Sequence, residues 1–552
     1  MKENKYICQS EIIAKYNFTK KIIADYLGTP DKLAINPHYH SGPKEKLWLI
    51  SKVNEISKIP EVNSKTSKIA ERRKKKEEIR NEKLRTLEKE KENLKNMMNL
   101  YSLEYIISKS RQYKKKYYIH CGPTNSGKTY HSLKNIKKES KGQYLAPLRL
   151  LAIETFEKLN NNGINCTLKT GEEEIIIDNS NFTSSTIELC DFNNELDILI
   201  IDEAQLISDY YRGYCYTKAI LLAKAKEIHI CISQNALELI TELINKTGME
   251  SQTFFYNRLV PLEYGGEISS FDKLEQGDAI VVFSRKKVIE ISNHLESEGI
   301  KTSILYGNLP PQNRRMEIER FSKKESMVLI CTDAIGLGVS LPIKRIIFME
   351  DSKFDGHSYR KLNSDEIVQI AGRAGRNKIY PIGKYLYWNN LELKPIEDIK
   401  LNNISHICIP FPIDVLHYPI DLLTTLEVWN NLSNTIELYH QNISSSIDLI
   451  KYLNYKEYSK ELIFKLITCP FDIANDELLI LWRYYSLTIL EDKNISVPKI
   501  NRNTLIALEL SYKKIELFNH MAQINNQSVN TKDILNELTL EIDKKLKDKY
   551  KK

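Results

Sequence analysis

From about residue 115 the chain alternates short apolar runs, "YYIHC", "QYLAP", "LDILIID" and "EIHICIS", with stretches of helical pattern. Runs of that length set between helices predict strands of a parallel sheet, in the βαβ arrangement. A second set opens at "GDAIVVFS" and continues through "TSILYG", "SMVLICT" and "KRIIFME". Two tandem α/β domains follow. After about residue 390 the pattern turns mainly helical, most clearly in "IELYHQNISSSIDLIKYL" and "NTLIALELSYKKIELFNHMAQ".

The first sixty residues carry a different pattern. Ser10 is placed to cap a helix over "EIIAKY", "NFT" turns the chain, and Thr19 caps "KKIIADYLG", which stops at Gly28. Two short helices around a tight turn suggest a helix-turn-helix. The following "NPHYHSGPKEKLWLISKV" looks like the companion segment of small excisionase-like DNA-binding modules. Cys8, His38 and His40 match no common zinc spacing, so ordinary packing is expected of them. Residues 64–112 read as one helix, with Leu84, Leu87, Leu94, Met98 and Tyr101 at heptad-like positions and Lys91 breaking the stripe. That predicts a charged arm rather than a long coiled coil. The expected division is a helix-turn-helix-like module at 1–62 and a basic helical linker at 63–116. RecA-like parallel-sheet domains follow at 117–260 and 261–395, with a helical C-terminal domain at 396–552.

Charge sharpens this picture. Between residues 64 and 118 stand 18 lysines and arginines against 8 acids, an excess of ten, while the whole chain of 552 residues carries +8. A basic arm on a slightly acidic body suits a polyanionic partner, although a solvated linker would look the same. No apolar run approaches the roughly 18 residues that span a bilayer. The N-terminus lacks the apolar core of a secretory signal and the Arg-rich, acid-poor character of a transit peptide. Nine cysteines are scattered without a Cys-x-x-Cys pair. Both observations predict reduced thiols in a cytoplasmic protein, with no membrane and no structural metal.

The chemistry starts at "GPTNSGKTY", which follows the run "KKYYIHC". Two glycines five apart, then lysine and threonine, between strand and helix, form a phosphate-holding loop. Gly122, Thr124, Asn125, Ser126 and Gly127 supply backbone amides for phosphate oxygens, and Pro123, which has no N–H, lies in the same nucleotide-binding loop. Lys128 reaches the β and γ phosphates and Thr129 holds Mg²⁺. At the end of a later strand, "LDILIIDEAQ" supplies Asp202 for the metal and Glu203 to polarise water. ATP and Mg²⁺ are thus the expected ligands. A GTPase would carry Asn-Lys-x-Asp to read its base, and none stands in the expected region. In "QIAGRAGR", Arg373 and Arg376 can reach across a cleft to the transferring phosphoryl group, and Gln369 can contact the γ phosphate or the water.

At these residues the sequence resembles the superfamily-two DExH helicases, and more narrowly the mitochondrial degradosome RNA helicase family, the Suv type, which has bacterial members. The matching stretches run in order: "GPTNSGKT", "APLRLLAIE", "TGEEE", "STIELC", "IIDEAQLI", "IVVFSRKKV", "ILYGNLPPQNR", "CTDAIGLGVSL", "KRIIFMEDSKFDG" and "QIAGRAGR". The resemblance covers residues 117 to 390 firmly and leaves out 1 to 112. It implies that Pro147, Leu148, Arg149, Thr186 and Glu188 meet a nucleic-acid backbone from the first domain. From the second come Arg285, Thr332 and Asp333, with Gly336 and Gly338 allowing close backbone approach and Gly338 also at the nucleotide. The tetrad reads Asp-Glu-Ala-Gln rather than Asp-Glu-x-His, and Gln205 would couple hydrolysis to the second domain. The least typical stretch is "SQNA" at 233–236.

Three functions fit. The leading one is an ATP-dependent RNA helicase that translocates on single strands, 3′ to 5′ by resemblance, with an exoribonuclease as a possible companion. A DNA helicase or DNA-bound translocase is favoured by the N-terminal module, which suits a duplex major groove. A regulatory ATPase recruiting a protein partner is the third. Trp482 and Arg483 in "LLILWRYY" could stack bases, but aromatics mostly serve packing, which favours Trp482, Tyr484 and Tyr485 as core or helix-interface residues.

Overall fold

The runs read as strands are buried along both faces, as a sheet covered by helices on two sides requires. The computed structural model describes residues 5–34, 44–171, 173–336, 341–354, 358–376, 378–389, 391, 395–396, 399, 401–435 and 437–548. His38, His40 and Gly338 lie outside the described residues. Contact density divides the chain into two units, residues 1–94 and 95–552.

In the first unit, the helix Gln9–Tyr16 is followed by a short helix from Lys20 that continues to Leu27. Asn17, in the left-handed region at φ 59°, makes the turn between them. Thr19 caps the second helix as expected, accepting from the Ile22 amide at 3.1 Å. The first helix starts earlier than Ser10: its N-cap is Cys8, whose backbone amide donates to Glu11 at 3.3 Å. Sequence reading missed three short strands here, an antiparallel sheet with Glu45–Leu49 between Tyr6–Cys8 and Lys32–Ala34. Ile12, Phe18, Ile22, Leu27, Trp48 and Val53 form the core that ties helices to sheet. The helix Pro60–Leu100 runs on from this module. At 1.5 Å per residue it is about 60 Å long. Every residue from 71 to 90 is exposed, Leu84 and Leu87 included, so the heptad stripe has no coiled-coil seam over that stretch.

Among the described residues the second unit holds two large sheets and two two-stranded ones, Ser352–Phe354 with Tyr359–Lys361 and Ile407–Ile409 with Leu438–His440. The first has eight strands in the order Ser251–Phe255, Lys116–Cys121, Ala225–Ile232, Leu196–Ile201, Gly142–Ala146, Phe182–Thr186, Cys166–Lys169, Glu174–Ile175. All neighbours pair in parallel except the last two. The second has six parallel strands, Leu262–Ile268, Gly383–Trp388, Arg345–Phe348, Asp278–Val281, Val328–Cys331, Thr302–Leu305. These are two RecA-like lobes. In each, the functional loops leave the carboxyl ends of central strands, where open α/β sheets bind ligands.

Two attachments were not legible in the apolar pattern. The helix Leu103–Ser110, in the stretch that reads as basic linker, buries Leu103, Ile106 and Ile107 and packs on the first-lobe helices Gly213–Leu222 and Leu237–Thr247. The last two helices, Leu505–Ile524 and Lys532–Asp548, share one hydrophobic cluster with the second sheet through Leu508, Ile515, Leu538 and Ile542. All nine cysteines are free thiols, and all but Cys8 are buried. Among the described residues no helix is long and apolar enough to cross a membrane, and no His/Cys/Asp/Glu group could hold a metal by itself.

Candidate nucleotide and nucleic-acid site

The strand Lys116–Cys121 runs straight into the phosphate loop, and the helix Lys128–Leu133 leaves it. The loop needs Gly127, at φ 82°, to turn into the helix. At Gly122 a Cβ would stand 2.5 Å from the Tyr256 carbonyl oxygen, so only glycine fits. Lys128 Nζ donates to the carbonyls of Gly122 at 2.6 Å and Pro123 at 2.8 Å. Those bonds hold the ammonium against its own loop, where phosphate oxygens could replace the carbonyls.

Asp202 emerges from the strand Leu196–Ile201 onto the helix that follows the loop. The Thr129 hydroxyl donates to its two oxygens at 3.0 and 3.1 Å, and the Tyr144 hydroxyl donates at 2.8 Å. Burial, and then the neighbouring Glu203, push the Asp202 carboxyl up to about 6. Glu203 itself sits at φ 50°, a left-handed conformation that costs a non-glycine residue roughly 1–3 kcal/mol. That conformation turns its carboxylate into the cleft. Gln205 donates its amide to Glu203 and accepts from the Ser233 amide at 3.3 Å, so the tetrad is tied to "SQNA".

The second lobe comes directly against this loop. Arg373 is 3.6 Å from Glu203 and donates to the Gly336 carbonyl at 2.5 and 3.1 Å. Asn125 donates to the Gly375 carbonyl at 2.8 Å. Arg376 lines the same 240 Å³ cleft as Lys128, Thr129, Asp202, Glu203 and Arg373. Gln369 lies elsewhere: it lines the neighbouring cavity, beside Gly336.

The residues expected at the nucleic acid also gather. Pro147, Leu148, Arg149, Thr186 and Glu188 line a cavity of about 610 Å³. Leu148, Arg285, Thr332 and Asp333 line another of about 630 Å³. Leu148, Gly307, Asn308 and Arg314 belong to both, so the two form one groove between the lobes. The helix Leu505–Ile524 closes its side with Tyr512, Lys513, Glu516 and His520. Several of these groups have protein partners. Glu188 pairs with Arg212 at 2.6 Å, and Asp333 with Lys353 at 2.7 Å.

Sequence reading gave no role to four contributors, although Asn235 stands in the quoted "SQNA". Arg258, in the link after the strand Ser251–Phe255, donates to the carbonyls of Thr124 at 3.0 Å and Gly372 at 2.8 Å, and to that of Ala374. Burial, and then Arg373, lower its guanidinium to about 10. Asn235 donates to Asp365 at 3.0 Å, on the helix that carries Gln369. Glu509 and Glu516 bond the groove arginines Arg285 and Arg149. None of the four stands in a phosphate-loop or acid motif, and only their partners reveal them. Trp482 is core: it is fully buried, donates to the Leu466 carbonyl at 2.9 Å and stacks on Phe471.

Two RecA-like lobes facing each other across a phosphate loop, an acid pair and an arginine-bearing segment form a helicase core. Residues 104–256 match the DEXQ-box helicase domain of Suv3, and residues 265–378 match the helicase conserved C-terminal domain. The chain is 42% identical over 273 residues to the ATP-dependent RNA helicase SUV3, mitochondrial, of Candida albicans, covering 48% of this chain and 38% of that one. It is 35% identical over 369 residues to SUPV3L1, mitochondrial, of Danio rerio, covering 62% and 48%. To the DExH-box ATP-dependent RNA helicase DExH16, mitochondrial, of Arabidopsis thaliana it is 39% identical over 280 residues, covering 50% and 49%. The matches thus span less than half the length of these relatives. Their names overturn the expectation of a cytoplasmic protein, since each is given as mitochondrial. Scattered thiols report burial and redox state, and neither is an address.

Proposed function

We propose that the chain is an ATP-dependent RNA helicase that moves along single strands and unwinds duplexes. The observation that carries this reading is the 3.6 Å approach of Arg373, from the second lobe, to Glu203 of the first. It puts a cation from the second lobe and a water-activating carboxylate in one cleft. The names of the relatives, ATP-dependent RNA helicases, support the substrate.

In this reading ATP lies in the cleft with its phosphates on the amides of Gly122 and residues 124–127 and on Lys128. Glu203 takes the proton of the attacking water, and Arg373 and Arg376 stabilise charge on the γ phosphoryl group. Thr129 and Asp202 fit a hard cation such as Mg²⁺, because they bring a hydroxyl and a carboxylate to within hydrogen-bonding distance of each other. When bound there, Mg²⁺ neutralises phosphate charge. Gln205 reports the state of Glu203 to Ser233 and so to Asn235 and Asp365. Gln369 belongs with the strand-side cavity. Residues of the groove hold sugar and phosphate, so little base specificity follows. We carry 3′ to 5′ polarity, Gly338 at the nucleotide, an exoribonuclease companion and the five-part domain division as elements of the same proposal.

A second reading is a DNA helicase, and one observation favours it: the first unit is a helix-turn-helix with a three-stranded sheet, suited to a duplex groove. ATP hydrolysis with matched single-stranded RNA, single-stranded DNA and no polymer, at one salt concentration, separates the two. Stimulation mainly by RNA supports the proposal, and stimulation mainly by DNA replaces it. Lys128→Ala should abolish turnover with every polymer. Duplexes tailed at 3′ or 5′ ends read the polarity.

A further inference from the structure

The helix Leu505–Ile524 carries Glu509 and Glu516 seven residues apart, two turns along one face. Each meets an arginine from a different lobe. Glu516 is 3.2 Å from Arg149 of the first. Glu509 accepts from Arg285 of the second at 3.0 and 3.1 Å, and from the Tyr306 hydroxyl at 2.5 Å. The Glu509 side chain is 7% exposed and that of Glu516 20%. Arg285 Nε is buried without a partner among the described residues. Arg149 and Arg285 are also the groove arginines facing the strand path, with Arg314 between them.

A carboxylate and a phosphate offer a guanidinium the same pair of anionic oxygens. We propose that Glu509 and Glu516 are internal stand-ins for phosphate, with which single-stranded RNA competes for Arg285 and Arg149. This rests on the reading of the groove as the strand path. Each lobe then releases one carboxylate when it takes the strand, so grip is tied to the position of the C-terminal helix. The exchange of one anion for another costs the strand affinity, and a protein that must release at every step has use for weak grip. It also mutes salt dependence, since each displaced carboxylate takes up cation as the strand sheds its own.

The test is fluorescence anisotropy of a labelled oligouridine on the full chain at several salt concentrations. Glu509→Gln and Glu516→Gln keep the shape and remove the charge. Each is expected to tighten binding on the order of tenfold, and to steepen the salt slope by about 0.7 per carboxylate removed. Glu516→Asp keeps the charge and should bind as the unaltered chain does. Unchanged or weaker binding by both glutamine variants, while Arg149→Ala and Arg285→Ala lose affinity, overturns the competition. Tightening by Glu516→Asp equal to that of Glu516→Gln overturns it too, because lost packing would then be the cause. If Arg149→Ala and Arg285→Ala bind normally, the strand does not use the groove, and the underlying reading fails first.

Discussion

Asn235 donates its side-chain amide to Asp365 at 3.0 Å, a direct bond from the first lobe to the helix that carries Gln369. The line runs back from Asn235 to Ser233 at 2.5 Å, then to Gln205 and Glu203. Every link is a hydrogen bond, so a change at Glu203 has a continuous physical path to the second lobe. Asn235→Ala should therefore lower RNA-stimulated ATP turnover about tenfold while basal turnover and nucleotide KM hold nearly steady. Equal loss of basal and stimulated rates would show that Asn235 only supports the fold.

Arg258 holds three carbonyls, one on the phosphate loop and two on the arginine-bearing segment. A planar five-donor fork does this and an ammonium cannot. Arg258→Lys keeps the charge but should cut kcat at least about tenfold, with a smaller effect on KM, because Arg373 loses its register against Glu203. Steady-state kinetics on the two proteins decide it, and an unchanged kcat would remove Arg258 from the cleft's assembly.

His120 and His229 share a bond of 2.9 Å, and His120 bonds the Tyr256 hydroxyl at 2.8 Å. Burial first, then His131 for His120 and His120 for His229, lower both to about 4. Unfolded histidine titrates near 6.5. The unfolded chain thus binds more protons between pH 6.5 and 4, and the stability from this pair is complete above pH 6.5 and lost as pH falls toward 4. Thermal melts from pH 7.5 to 4.5 should show His229→Gln losing less on acidification than the unaltered chain, by on the order of 2 kcal/mol. Parallel pH profiles would dismiss the pair as the cause.

Trp482 packs in the C-terminal helices with its Nε1 bonded to the Leu466 carbonyl. Trp482→Ala should cost about 3–5 kcal/mol of stability through the cavity it leaves. Trp482→Phe keeps most of the volume, so it should lower the melting temperature less and leave affinity for single-stranded RNA unchanged. A clear loss of RNA affinity in Trp482→Phe, with the fold retained, would return this side chain to the nucleic acid.

The legible parts were those whose signal is local. A buried parallel strand writes itself as a short apolar run, so both lobes could be read before any contact was known. The loop from Gly122 to Thr129 and the pair Asp202 and Glu203 were readable because phosphate and metal chemistry demand fixed residue types at fixed spacing. The short strands of the N-terminal module escaped because three residues such as Tyr6–Cys8 are too few to show a period. Lys91 in the heptad stripe already argued against a coiled coil, and Leu84 and Leu87 stand exposed, as apolar residues on an uncovered helix ordinarily do.

The sequence by itself thus determined the class of fold and the residue types at the phosphate loop and acid pair. Which groups meet across the cleft was decided by the tertiary structure alone. Arg258 stands 134 residues from Thr124, and Glu516 367 residues from Arg149. Nothing in the local pattern around such residues marks a partner that far away. A lone arginine in a link or a glutamate on a helix reads as solvated charge until the chain closes. Folding then withdraws these charges from water, and each carbonyl or carboxylate that remains has to be matched, which makes the pairing specific.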